Sequence, residues 1–216
     1  MRGTRQLARL PLTLAAILIA IFLFTFFTTP EGKLNWMLEV GPGLFGIIAL
    51  AIAFPRFPMS KFVYVAVFLH ILILVYGGFY TYAKAPLGEW AREAFGFQRN
   101  HYDRIGHFSF GFFPIFTLSE VLQRVTPLKR GKWFTFILVS MLLGFAAFYE
   151  FIEWWAALLL DPAGGDKFLG SQGDIWDAQW DMFLAGVGAC VGLLLLGRVH
   201  QRSMEKVLSS SAPPSP

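Results

Sequence analysis

Six stretches of this chain are apolar for the length that a helix needs to cross a bilayer. They run from about 10 to 28, 38 to 54, 61 to 81, 104 to 123, 132 to 160 and 177 to 198, against a need of roughly 20 helical residues for a hydrocarbon core of about 30 Å. Inside hydrocarbon every backbone N–H and C=O has to be satisfied by the protein itself, which leaves helices as the economical solution. The expected class is all-α: a polytopic membrane helix bundle of about six transmembrane helices, with the lipid bilayer as its first partner. Composition agrees, since 56% hydrophobic, 17% aromatic and 15% charged residues lie outside the range of a soluble domain.

The links "TTPEGKLN", "FPRFPMSK", "RVTPLKRGK" and "LDPAGGDKFLGSQGD" are too short to fold alone. Residues 1–208 therefore read as a single transmembrane domain, and 209–216, "SSSAPPSP", as a disordered tail. The basic amino terminus and first apolar run lack a small-x-small cleavage signature, so they read as a retained helix.

Orientation follows from the basic residues. Arg2, Arg5, Arg9, Arg56, Lys61, Arg124, Lys129, Arg130, Lys132, Arg198, Arg202 and Lys206 fall on one side, twelve of the 18 in the chain. That side is expected to be the cytoplasm, with both termini inside. Lys84, Arg92, Arg99 and Arg104 fall on the other, offset by Glu89, Glu93 and Asp103. The net charge of +4 is thus a topology signal; no basic and aromatic pattern suggests nucleic acid, and the single cysteine, Cys190, excludes an internal disulfide framework.

The last span opens with acids. Asp174, Asp177 and Asp181 share one stripe if the helix begins at or before 174, and the stripe continues through Ala185, Gly188 and Gly192. Small residues so spaced let another helix approach closely, so the acids are expected to face protein. The fifth span repeats the arrangement with Glu150 and Glu153 beside Ala146 and Ala157, and the fourth with Asp103 and His107 beside Gly111 and Pro114. Lys132 to Glu150, Arg198 to Asp181 and Arg124 to His107 are separations of 18, 17 and 17 residues. At 1.5 Å per residue all come to roughly 25 to 27 Å. One layer is implied, near the outer interface, where Trp154, Trp155, Trp176 and Trp180 suit an aromatic belt.

Carboxylates gathered near lipid repel one another unless they are protonated or a cation neutralises them. The expected ligand pool for a divalent metal is His107, Glu150, Glu153, Asp177 and Asp181, with His107, Glu150 and Asp177 as candidate catalytic groups and Asp103, Asp174, His101 and Tyr102 around them. Oxygen-rich sites with one imidazole suit Zn, Mg, Mn or Fe. Asp103, Asp174 and Asp177 have an equally ordinary reading as helix-start acids. His70 is expected to pack or make one hydrogen bond, and Glu120 to pair with Arg124 four residues on. No hydrolase or nucleotide motif of the G-x-S-x-G, G-x-x-x-x-G-K or H-E-x-x-H type is present.

The blocks "YDRIGHFSFGF", "YEFIEWWAA" and "FLGSQGDIWDAQWDMFLAGVGA" give the chain a pattern that resembles the YjdF family of bacterial inner-membrane proteins, over roughly its last two thirds. The resemblance implies a multi-helix protein of the inner membrane and supports these residues as motif positions. It implies no reaction. From the residues, the leading expectation is a metal-dependent hydrolase or lipid-modifying enzyme acting on a lipid or lipid-linked substrate at the outer leaflet. A proton- or metal-coupled transporter and a structural polar clasp between helices are the alternatives.

Overall fold

The computed structural model describes residues 2–160, 165 and 168–211. In chain order the helices are α1 (Arg2–Thr28), α2 (Lys33–Ala53), α3 (Lys61–Tyr80), α4 (Pro86–Phe95), α5 (Tyr102–Phe112), α6 (Ile115–Val125), α7 (Lys132–Leu159) and α8 (Asp177–Ser211). A single 3₁₀ turn, Tyr82–Lys84, joins α3 to α4. Six segments are long and apolar enough to cross a membrane: Ala8–Thr28, Lys33–Ala53, Lys61–Tyr80, Tyr102–Val125, Lys132–Leu159 and Asp177–Ser209. The expected all-α bundle is the observed one.

Three boundaries differ from expectation, each for a local reason. The second span begins at Lys33 rather than 38, because the polar Asn35 is absorbed into the helix by donating from Nδ2 to Glu39 Oε1 at 2.8 Å. The fourth span is broken at Phe113–Pro114 into α5 and α6; proline has no N–H to give and its ring clashes with the carbonyl four residues back. Helix α8 persists to Ser211, three residues into the stretch read as a tail, and 212–216 lie outside the described residues.

Lipid is as apolar as leucine, so close fit rather than water exclusion selects the helix contacts. The tightest is α5 on α8. A Cβ at Gly111 would lie 1.8 Å from the Ala185 carbonyl oxygen, and one at Gly188 2.1 Å from that of Phe108, so the two backbones touch where the small-residue stripe was read. Met59, Val63, Ile115, Phe116, Phe134, Leu138, Leu142 and Ala189 form one core, between α3, α6, α7 and α8. A second, of Leu18, Phe22, Trp36, Val40, Ile71 and Val75, joins α1 and α2 to α3. Helix α3 thus links two groups of helices, while α2 and α7 scarcely meet.

Candidate functional site

Beyond α4 the chain turns back through residues that fix the start of α5. Asn100 accepts the Tyr102 N–H at 3.0 Å and donates to the Ala85 carbonyl at 3.0 Å. Its backbone exchanges bonds with the Gln172 side chain, 3.0 Å for its N–H and 2.8 Å for its carbonyl. Only glycine fits at position 88, where a Cβ would stand 1.8 Å from Asn100 Oδ1. These contacts hold the first turns of α5 against the segment leading into α8.

Along α5, Asp103 and His107 lie one turn apart on the face that meets α7 and α8. His107 Nε2 is 3.6 Å from Asp103 Oδ1, and Nδ1 is 3.8 Å from Glu150 Oε1 on α7. Both separations exceed a hydrogen bond. Asp181 completes the group: one ligand-type atom from each of Asp103, His107 and Asp181 lies within 4.8 Å of the others. Asp181 is 2% exposed. Among the described residues its Oδ1, like Oε1 of Glu150, is buried without a hydrogen-bond partner. Oxygen and nitrogen ligands stand about 2.0 to 2.2 Å from Zn, so a shared ion of that size would need the three side chains to draw together slightly.

The other acids are placed differently. Asp177 opens α8 and accepts a 2.6 Å bond from Arg99 Nη1, which leaves it out of the three-residue group. Asp174 precedes the helix instead of joining its stripe. Its Oδ1 accepts the Trp176 N–H at 3.0 Å and its Oδ2 the Arg104 guanidinium at 2.7 Å, which is the helix-start reading. Arg104 also stacks on Trp180, 5.2 Å from the ring centroid. Tyr102 turns away and donates to the Ile73 carbonyl at 3.0 Å. His101 packs edge-on against Phe97, and desolvation, with Arg104 and Arg99 nearby, holds its imidazole below the usual range. Arg99 and Arg104 are matched to Asp174 and Asp177, which leaves His107 to the carboxyls of Asp103, Glu150 and Asp181.

Beneath this cluster lies a cavity of about 300 Å³. Asp103, His107, Tyr149 and Glu153 stand in its wall at one end together with Glu39, Thr81 and Tyr82; Gly43, Gly46, Leu50, Phe110, Leu118, Leu142 and Phe145 line the remainder. Glu39 is buried, and its Oε1 accepts bonds from Asn35 and from Thr81 Oγ1, at 2.8 and 2.6 Å. Thr81 makes that contact from a φ of 58°, a strained conformation for a β-branched residue. The Tyr82 ring is wedged between α3 and α5, 2.6 Å from where a Cβ on Gly77 would be and 2.9 Å from one on Gly106. Desolvation, with Tyr149, Glu39 and Asp103 adding to it, holds the Tyr82 phenol well above its usual range, so it stays a hydroxyl.

With that arrangement described, relatives can be set beside it. The family model for a predicted membrane protein, DUF2238, matches residues 10–202. The chain belongs to this family. It is 39% identical over 203 residues to the inner membrane protein YjdF of Escherichia coli strain K12, covering 94% of this chain and 97% of that protein. No solved structure matches. Family membership and the six apolar helices together make this an integral, multi-pass protein of the bacterial inner membrane.

Glu39, Thr81, Tyr82, Arg99 and Arg104 were not among the residues expected at the site. Glu39 carries a recognisable signal, an acid with Asn35 four residues before it inside an apolar run. The two arginines read as topology charges because their partners lie 70 to 78 residues away. His70 makes one hydrogen bond, to Ser109 at 2.9 Å, and lines the cavity.

Proposed function

We propose that this family member is a metal-dependent enzyme acting on a lipid or lipid-linked substrate at the outer leaflet. Asp103, His107 and Asp181 would hold one divalent cation, and Glu150 would orient His107 from behind. The observation that carries the reading is the meeting of an acid and histidine cluster with an apolar cavity: Asp103 and His107 belong to both. A cation supplies Lewis acidity there and neutralises the crowded carboxylates. Glu153, in the cavity wall, would take a proton from water as the water oxygen attacks an ester or phosphoester centre. The bond to the leaving oxygen then breaks, and that oxygen receives the proton. Zn, Mg, Mn and Fe all suit the donor set.

The outer-leaflet assignment rests on the basic residues gathered at the opposite end of the bundle. Reporter fusions after Gly170 should read as external and fusions after Ser211 as cytoplasmic; the reverse would remove the outer-leaflet substrate. Elemental analysis of purified protein tests the metal. Asp181→Asn should lose bound metal while inserting normally, whereas Glu120→Gln should keep it, and full occupancy in Asp181→Asn would overturn the ligand set.

A coupled transporter is the second reading, favoured by one feature. Polar groups continue below the cluster, through the His70–Ser109 bond to Thr117, whose buried hydroxyl has no partner among the described residues. Lipid turnover without proton flux in proteoliposomes supports the enzyme, and the converse supports the transporter.

A further inference from the structure

The cavity has a shape that a metal site alone does not require. On α2 its wall is formed by Glu39, Pro42, Gly43, Gly46 and Leu50, and on α7 by Leu142, Phe145, Ala146, Tyr149 and Glu153. Both sets follow the same helical spacing, one face of each helix. The helices run in opposite directions, yet each places its carboxylate at the same end and its leucine at the other. From Glu39 to Leu50, and from Leu142 to Glu153, the wall covers about 16 Å at 1.5 Å per residue. Half of a hydrocarbon core about 30 Å thick is about 15 Å. From its carboxylates to its leucines the cavity therefore has about the depth of one leaflet.

Its sides are equally telling. Helix α2 packs on α1 and α3, and α7 on α6 and α8, with little contact between α2 and α7 themselves among the described residues, so these two helices do not close that side against each other. Phe145, in the α7 wall, is half exposed at 50%. Phe168, Leu169 and Gly170 also line the cavity. The side between α2 and α7 thus opens laterally, and what stands outside that gap in a membrane is acyl chain. About 300 Å³ is at the low end for a ligand pocket, room for one chain rather than for a whole two-chain lipid.

We infer that the cavity is a lateral slot for a single acyl chain of a membrane lipid, entered between α2 and α7, which sets the chain's polar end against Asp103, His107 and Glu153. The inference rests on the proposed enzyme reading only for what happens at that polar end; the slot itself stands on the cavity.

Gly46 offers the test. It lines the slot, and a Cβ there would meet nothing within 4 Å, so a larger side chain enters open space instead of displacing a neighbour. Gly144 on α7 also has nothing within 4 Å but does not line the slot, so it serves as the control. The full-length protein in vesicles containing phosphatidylethanolamine with a mid-chain diazirine is irradiated, and the adducts are mapped by mass spectrometry. Adducts should concentrate on Leu50, Leu142 and Phe145, fall several-fold in Gly46→Phe and in the milder Gly46→Leu, and persist in Gly144→Phe. Labelling spread evenly over lipid-facing residues, or indifferent to both Gly46 variants, overturns the slot. Asp181→Asn separates the two proposals: unchanged slot labelling with unchanged metal overturns the metal site alone, and lost labelling in Gly46→Phe with metal retained supports the slot independently.

Discussion

Two buried carboxylate and histidine groups stand at opposite ends of this bundle, and they are built in opposite ways. At one end Glu120, wholly buried, accepts the Ser60 N–H at 2.8 Å and Arg124 Nη1 at 2.9 Å, with His200 Nε2 at 3.3 Å. Arg124 in turn donates to the Pro58 carbonyl at 2.8 Å and lies over the Phe57 ring. One acid there meets an excess of donors. At the other end Asp103, Glu150 and Asp181 stand around His107, with Glu153 in the adjoining cavity wall and with Oε1 of Glu150 and Oδ1 of Asp181 unpartnered among the described residues. The Glu120 group ties α3, α6 and α8 together and leaves nothing for a ligand to do. The Asp103 group keeps acceptors in reserve. A buried acid is a structural tie when donors outnumber it and a candidate binding group when acceptors do.

The largest effect should come from breaking the tie. Glu120→Ala takes the wholly buried carboxylate from the half-buried Arg124 and from His200 and should cost about 3 kcal/mol, the low end of the range for removing one partner of a buried pair. Thermal unfolding in detergent measures it, and metal content of the folded fraction should not change. A loss as small as a surface pair would give would place the comparison in doubt.

Next in size is the Arg99–Asp177 pair, at 2.6 Å, which borders the open cluster and resembles the closed one. A double-mutant cycle with Arg99→Gln and Asp177→Asn should return a coupling of about 0.5 to 3 kcal/mol, as for residues in one ion-pair network. Zero coupling with loss of metal in Asp177→Asn would move Asp177 from the tie into the ligand set.

The smallest stability effect is expected where the functional effect is greatest. Asp181→Asn removes one of several like charges and can still hydrogen-bond, so without metal the protein should be as stable as wild type or slightly more so. Chelator should lower the midpoint of the wild type and leave that of the variant unmoved. Equal response of both proteins to chelator would make the Asp103 group a second tie.

Hydropathy and the 3.6-residue period were enough to read the six spans, the small-residue face of α8 and the common depth of His107, Glu150 and Asp181, since each depends on neighbours within one helix. What was illegible depends on distant pairing. His200 sits 80 residues from Glu120, and Arg99 sits 78 from Asp177, so neither role has a local signal. Glu39 was hidden because the second apolar run was read from 38, which put the acid at a helix end, where acids are commonplace. The start of α8 at Asp177 separated Asp174 from its stripe; that turned on a turn conformation at Gly173, with φ of 86°, which spacing does not encode.

The backbone contact of α5 with α8 also says something about how the molecule is made. Asp103 and His107 emerge from the ribosome early, whereas Asp181 arrives on the last span, and only the mating of Gly111 with Gly188 brings it to them. Because a single added methyl group would separate those backbones, the last helix docks in one register or none. Until that helix is synthesised and docked the inserted chain lacks Asp181, so the Asp103, His107 and Asp181 group comes together only in the finished protein.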